Sequence, residues 1–353
     1  MKNVVFTIIA LFMSLVIFVA GGEILIRLYD HMKGVTPPYT HNLPECIAVP
    51  NGYFNFDLQP NLKVMYDSYN PRKFSINRWG FRADDYDPVK PKDIYRIFCF
   101  GGSSTFDPYV GDERSWAAQV GTKLSSALGR KVESINAGRY GYTMAEIVSL
   151  FYHRVLRHQP DLIIIYSTYN DAHIEISPYY SRDDGVQMYG SPLLSFLNKH
   201  SAFFAYFDFR LRSIWPTSSW YVKLLPSHIY VKKIPPEHEK FITDKQQLER
   251  YLADTYRRHL KTVIHMAKDN NVQVLLSTQV IDNSFYTPVK RRITDVMREV
   301  SKEENVPILD FDTFNIDPAK EKLLYTYVHL SPKGCDYVSD KMADAVIKNG
   351  MIR

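Results

Sequence analysis

Ile94-Tyr95-Arg96-Ile97-Phe98-Cys99-Phe100-Gly101-Gly102-Ser103-Ser104-Thr105 is a short apolar run that breaks abruptly into a turn of small residues. A run of this length closed by glycines reads as a buried strand, and the segment after it reads as a helix: Trp116, Val120, Leu124 and Leu128 recur at helical spacing over 115–128. Outward from this pair the same alternation repeats. A second strand is expected over 131–136, a helix over 144–158, and a third strand at Asp161-Leu162-Ile163-Ile164-Ile165-Tyr166, whose unbroken apolar character marks a strand covered on both faces. Farther along come a long helix over 245–268, a strand over 272–278, a helix over 289–304, a strand over 306–310 and a last helix over 332–348. Strands alternating with helices imply an α/β fold with a doubly wound parallel sheet. In such sheets ligands sit beyond the carboxyl ends of the strands, so the residues just after each strand are where chemistry is to be sought.

Composition narrows the function classes. Hydrophobic residues make up 45% and charged residues 23% of 353, which places the chain among folded proteins rather than disordered or fibrous ones. Cys46, Cys99 and Cys335 are scattered with no C-x-x-C pair, excluding a disulfide framework and a cysteine-based zinc site. The net charge of +5 is spread thinly, without a run of five or more basic residues, so no nucleic-acid partner is indicated.

Three regions lie outside the alternation. Val4 to Gly22 carries no charge over 19 residues, roughly 28 Å as a helix, enough to cross a bilayer. Residues 1–30 are therefore expected to be an uncleaved transmembrane anchor. A cleaved signal peptide is the rival, with Lys2 as its basic end and Ala20-Gly21-Gly22 near a possible cleavage point, and a buried soluble helix is the third reading. Residues 31–92, rich in Pro, Asn, Tyr and Asp, read as a connecting segment with short strands and turns. Residues 93–350 then form the main domain, interrupted at about 172–240 by an insertion dense in aromatics, among them Tyr179, Tyr180, Phe203, Phe204, Tyr206, Phe207, Phe209, Trp215, Trp220 and Tyr221. That insertion is a packed subdomain, a lid or acyl-binding wall, or a membrane or partner surface.

Four strand-end segments carry candidate chemistry. Ser103, in the turn after the first strand, can serve as a nucleophile if a base lies near, or simply cap a helix. Gly141, in Asn136-Ala137-Gly138-Arg139-Tyr140-Gly141, can offer its backbone N–H to an oxyanion, or only serve a tight loop. Asn170, in Thr168-Tyr169-Asn170-Asp171, can donate its side-chain amide to the same oxyanion, or form an Asx turn. His329, ahead of the last helix, can be the general base, though it is one of 11 histidines. No P-loop or dinucleotide fingerprint accompanies the glycines.

In order and character these segments resemble the SGNH hydrolases, or GDSL-type esterases, over about residues 93–348. The resemblance implies a flavodoxin-like sheet with Ser103 as nucleophile, His329 as base, and an oxyanion hole from the Ser103 N–H, the Gly141 N–H and the Asn170 amide, with no metal and no cofactor. Two departures stand out. Thr168 replaces the glycine of the family's G-x-N-D motif, and Thr326 occupies the position of the triad acid, three residues before His329. Thr326 can accept one hydrogen bond but carries no charge; either His329 works in a dyad, with a backbone carbonyl as one candidate to orient it, or a carboxylate such as Asp310 or Asp312 substitutes, or the site is weak. Together with Asn77-Arg78-Trp79-Gly80-Phe81-Arg82, the N-terminal anchor resembles membrane-tethered members of bacterial envelopes. That likeness implies an esterase or O-acyltransferase for an acylated glycan or lipid, a domain facing the periplasm or cell surface, and a membrane-bound O-acyltransferase as possible partner. The alternatives are a generic lipid or small-ester hydrolase and a non-catalytic glycan-binding scaffold on a degenerate site.

Overall fold

The computed structural model describes residues 2–32, 48–49, 53, 57–66, 72–173, 188–189, 196–197, 200–204, 206–207, 230–231, 245–285 and 287–352. Strands β1 (Tyr95–Gly101), β2 (Val132–Asn136), β3 (Leu162–Tyr166), β4 (Gln273–Ser277) and β5 (Ile308–Leu309) form one sheet in the order β5-β4-β3-β1-β2. All four pairings are parallel, with Cys99 opposite Ile164 and Ile164 opposite Leu275. This is the flavodoxin-like order, and its topological switch lies between β1 and β3, where the chain leaves β1 toward both neighbours and opens a crevice.

Period-two alternation divides the sheet's side chains between two faces. Ile97, Cys99, Ile164 and Tyr166 pack with Trp116, Val120 and Leu124 of α2 (Trp116–Leu128) and with Val338, Met342 and Val346 of α6 (Pro332–Lys348). Phe98, Phe100, Ile163 and Ile165 point the other way, fully buried, and Phe100 meets Phe151 edge-on at 6.0 Å. That side carries α3 (Met144–Leu150), α4 (Lys245–Asp269) and α5 (Pro288–Glu303), with α4 packed on both of the others. The helix expected over 144–158 is regular only to Leu150; it continues as a π turn over Phe151–Val155 and a 3₁₀ turn over Leu156–His158. Starts are written into the sequence: Ser115 caps α2, Thr143 and Glu146 form a capping box on α3, and Thr287-Pro288 and Ser331-Pro332 open α5 and α6.

The chain forms two compact units, Met1–Ala48 with Lys63–Lys73 and Tyr189–Tyr230, and Val49–Leu62 with Phe74–Met188 and Val231–Arg353. Residues 74–92 therefore belong to the unit of the sheet, although the sequence reads them as connecting chain. Phe81 and Tyr86 are buried there and, with Trp79 and Phe98, surround the fully buried His158 ring. Arg82, 3% exposed, pairs with Asp112 at 2.9 Å and donates to the carbonyls of Phe106, Asp107 and Val110. It staples the loop that comes after Ser103.

In the other unit, α1 (Lys2–Met32) has the length and apolar character of a membrane span over Asn3–Tyr29, which fits a single-pass anchor or a signal sequence. Of the aromatic insertion, Tyr179, Tyr180, Phe209, Trp215, Trp220 and Tyr221 lie outside the described residues, as do Cys46 and most of 31–56; Phe203, Phe204, Tyr206 and Phe207 lie within them.

Candidate active site

β1 ends in Gly101-Gly102 because nothing larger fits. A Cβ on Gly101 would stand 2.4 Å from the Tyr166 carbonyl oxygen, and one on Gly102 would stand 2.2 Å from Asn170 Nδ2. The chain turns there into the single helical turn Ser103–Phe106, closed by Asp107 in the left-handed region at φ 65°. Ser103 is thereby lifted, partly exposed, to the carboxyl edge of the sheet at its switch point.

The last segment before α6 brings His329 to it. Tyr325 N–H donates to the His329 carbonyl at 2.8 Å and Leu324 bridges Leu330, so residues 324–330 form a tight loop. Its imidazole lies with Nε2 2.8 Å from Ser103 Oγ. On the opposite nitrogen, Nδ1 is 2.8 Å from Thr326 Oγ1, which also accepts the His329 backbone N–H at 3.3 Å. With Thr326 Oγ1 accepting from Nδ1–H, Nε2 is left as the lone-pair nitrogen facing the serine. Burial pushes the imidazole pKa down to about 4, so the ring is neutral at neutral pH and able to take a proton. The Tyr109 ring lies 5.2 Å from the imidazole and 5.7 Å from Tyr325, walling one side.

Neither distant carboxylate considered for His329 is available. Asp310 receives Arg298 Nε at 2.7 Å and Nη2 at 3.0 Å, and Asp312 receives the same Nη2 at 2.5 Å. Arg298 of α5 holds both, and Thr278 Oγ1 adds a bond to Asp310 at 3.1 Å. The group on Nδ1 is the Thr326 hydroxyl, not a backbone carbonyl and not a carboxylate.

Asn170 comes after β3, beside β1. Its amide donates one N–H to the Tyr142 carbonyl at 2.8 Å while lying against Gly102, and a primary amide keeps a second N–H for a ligand. Gly141 lies in the loop after β2 with φ 67°, a conformation that only glycine adopts without cost. That loop is held to β1 by Arg139 N–H on the Gly101 carbonyl at 3.1 Å and Ala137 N–H on the Cys99 carbonyl at 2.9 Å. The structure thus brings Ser103, His329, Thr326 and Asn170 into direct or one-residue contact, with Gly141 on the adjoining loop.

Two supporting residues, Gln279 and Arg139, carry no signal of their role in sequence. Gln279, after β4 and 4% exposed, accepts from Thr168 N–H at 2.8 Å and Tyr169 N–H at 2.7 Å, and donates Nε2–H to Ser104 Oγ at 2.6 Å. It locks the Asn170 turn to the Ser103 turn. Arg139, fully buried, reaches Asp57 at 3.0 Å and the Gly80 carbonyl at 2.7 Å, tying the Gly141 loop to residues from the start of the unit. Asp171 accepts the Met144 N–H at 3.0 Å at the start of α3, and burial, with Glu146 adding to it, pushes its carboxyl up to about 8. Among the described residues no cluster of three metal-ligating side chains occurs.

A serine with a neutral imidazole on its hydroxyl and amide donors beside it is an arrangement for acyl transfer. The model of the GDSL-like lipase/acylhydrolase family matches residues 99–337. No curated protein sequence matches the chain. Similar solved structures include a lipase/acylhydrolase from Enterococcus faecalis at 18% identity, covering 72% of this chain and 96% of that one with a TM-score of 0.44. An acetyl xylan esterase, AlAXEase, is 15% identical over 71% of this chain and 99% of its own, with a TM-score of 0.44. The psychrotrophic esterase EstA from Pseudoalteromonas is 12% identical over 72% and 97%, with a TM-score of 0.42. With a family model spanning well over half its length, from the end of β1 to the first turns of α6, the chain belongs to the GDSL-like lipase/acylhydrolase family.

Proposed function

We propose that the protein is a membrane-anchored serine esterase or O-acyltransferase acting on an acyl ester of an envelope glycan or lipid. The observation that carries this reading is the 2.8 Å approach of His329 Nε2 to Ser103 Oγ. Ser103 Oγ attacks the ester carbonyl as its proton passes to Nε2, and the resulting imidazolium keeps its Nδ1–H on Thr326 Oγ1. Negative charge gathers on the former carbonyl oxygen, where the Ser103 N–H, the Gly141 N–H and the second Asn170 N–H are the candidate donors. Nε2–H then protonates the departing alcohol and leaves an acyl-Ser103. Attack by water on that acyl group makes the protein an esterase; attack by a sugar hydroxyl makes it a transferase. The scheme uses no cofactor.

Anchoring by an uncleaved α1 with the sheet unit outside the cytoplasm, and partnership with a membrane-bound O-acyltransferase that supplies the acyl group, belong to the same reading. They are supported by the likeness of the anchor and of residues 77–82 to envelope members of the family. Fluorophosphonate labelling of the full chain in detergent, beside Ser103→Ala and His329→Ala, tests the chemistry. Labelling of the parent that disappears in both variants is the expected result. A second reading rests on the uncharged Thr326: a site that binds acylated glycan without turning it over. A folded parent that takes no label would favour it over the enzyme.

A further inference from the structure

Beyond the ester site, the unit built on α1 contains an arrangement that a plain tether does not need. Glu23 ends the uncharged stretch and points its carboxylate at residues 201–203. Oε2 accepts from Ser201 Oγ at 2.8 Å and Phe203 N–H at 2.9 Å; Oε1 accepts from Ala202 N–H at 3.1 Å and Arg27 Nε at 2.7 Å. Arg27 also donates to the His200 carbonyl at 2.9 Å. The carboxylate is therefore neutralised by Arg27 and its lone pairs are filled, which is how a charge is tolerated where a helix leaves the hydrocarbon.

Depth is set by the helix itself. Phe18 lies five residues before Glu23, about 7 Å farther into the apolar stretch at 1.5 Å per residue. The Phe203 ring does not stay at the level of Glu23. It packs edge-on against Phe18 at 5.6 Å and so close to Gly22 that a Cβ there would stand 2.4 Å from the ring. Phe207 stacks on Phe203 at 6.1 Å, with an interplanar angle of 11°, and is 52% exposed; Phe196 is 58% exposed. Phe207, a large aromatic left open to solvent and fixed through Phe203 on the hydrocarbon side of a span-length apolar helix, has lipid as its matching partner, and the exposed Phe196 is four residues before His200, whose carbonyl Arg27 holds.

We infer that the described residues 196–197, 200–204 and 206–207 are a second membrane contact, moored to α1 by Glu23 and Phe203, which places Phe196 and Phe207 in the interfacial zone of the leaflet where α1 exits. This rests on the reading of α1 as a retained anchor. Cleavage near Gly22 would remove the mooring.

The test places a photoreactive benzophenone side chain singly at positions 12, 152, 196 and 207 of the full chain, reconstituted in phosphatidylethanolamine–phosphatidylglycerol vesicles, and reads lipid adducts by mass. Phe12, 63% exposed within the span, reports on the anchor alone, and Tyr152, 61% exposed in the other unit, sets the background. Adducts at 12, 196 and 207 well above 152 are expected. Gly22→Leu, which makes α1 more apolar but evicts the Phe203 ring, should lower the adduct at 207 about fivefold or more, the low end for overpacking a close contact, and leave position 12 unchanged. Adducts at 12 but not at 207 above background overturn the inference while the anchor stands. No adduct at 12 sinks the anchor and the inference with it. An adduct at 207 indifferent to Gly22→Leu refutes the mooring.

Discussion

Replacing Thr326 by Asp restores a charge where the structure places a hydroxyl, and its consequence can be worked out. The hydroxyl oxygen is 2.8 Å from His329 Nδ1, so a carboxylate in its place lies about 4 Å from the centre of an imidazolium charge. Their attraction is about 4 kcal/mol at an effective dielectric of about 20 and half that at about 40, the range suited to a partly buried site. At 1.36 kcal/mol per pKa unit the imidazole rises from about 4 to roughly 5.5–7. The same attraction stabilises the imidazolium that forms as Ser103 attacks, which predicts a gain of about 30- to 1000-fold in kcat above the new pKa. That lies inside the roughly 10⁴-fold loss on neutralising the triad Asp of a serine protease. The assay is kcat/KM for p-nitrophenyl acetate from pH 4 to 9 for the parent, Thr326→Asp and the uncharged control Thr326→Asn. The parent should hold its activity down to about pH 5, since its base protonates only near pH 4. Thr326→Asp should be faster at pH 8 and lose activity on acidification about two pH units earlier, while Thr326→Asn shows neither change. A folded Thr326→Asp enzyme no faster than the parent, with its acid limb unmoved, would refute the assignment of His329 as the base that Thr326 orients.

Gly102→Ala puts a methyl 2.2 Å from Asn170 Nδ2, so the amide must shift; losing one oxyanion donor lowers kcat about 10²–10³-fold, and a rate within a few-fold of the parent would clear Asn170 of that role. Gln279→Leu strands the buried Thr168 and Tyr169 N–H groups, at about 1–3 kcal/mol each, and urea unfolding should show a loss of roughly 2–6 kcal/mol together with slower turnover. Arg82→Ala leaves the carbonyls of residues 106, 107 and 110 and the Asp112 carboxylate without their donor; a loss of about 3–5 kcal/mol, the cost of breaking a buried pair, should appear as a Tm drop on the order of 10 °C. Asp171, raised to about 8, binds its proton more tightly folded than unfolded, so its contribution is fully present below the ordinary carboxylate pKa and is lost as pH rises toward 8. Asp171→Asn should flatten the decline in unfolding free energy between pH 4 and 8, and an unchanged slope would contradict the raised pKa.

The parts of the fold legible in sequence and the parts that were not divide along a physical line. The five strands and their order of chemistry could be read because β1 and β3 are covered on both faces and so appear as nearly unbroken apolar runs, and because the caps of α2, α5 and α6 are written in Ser115, Thr287-Pro288 and Ser331-Pro332. The four strand-end segments converge for the same reason, since a parallel sheet leaves every strand's carboxyl end on one edge. The partner of His329 was not legible, because Thr326, Asp310 and Asp312 are all within reach in sequence and only the position of Arg298 shows that both carboxylates are already engaged.

Buried polar residues have no periodicity to announce them. Asn77, Arg82, Arg139 and Gln279 each occur in stretches that read as loop or linker, yet each is almost fully enclosed. A polar side chain inside a protein is stable only when most of its donors and acceptors are matched, and the hydrogen bonds these four make to main-chain groups fix the backbone they touch. Arg82 fixes the turn after Ser103, Arg139 the loop of Gly141, and Gln279 the turns of both Ser103 and Asn170. In the mechanism proposed above, an imidazole that lacks a carboxylate depends the more on such fixing: with no charge at Thr326 to hold the imidazolium, the stabilisation of the transition state would fall to donors aimed at the oxyanion, and those act only as far as their turns are held still. The residues that read as linker are thus the ones on which the geometry of the ester site rests.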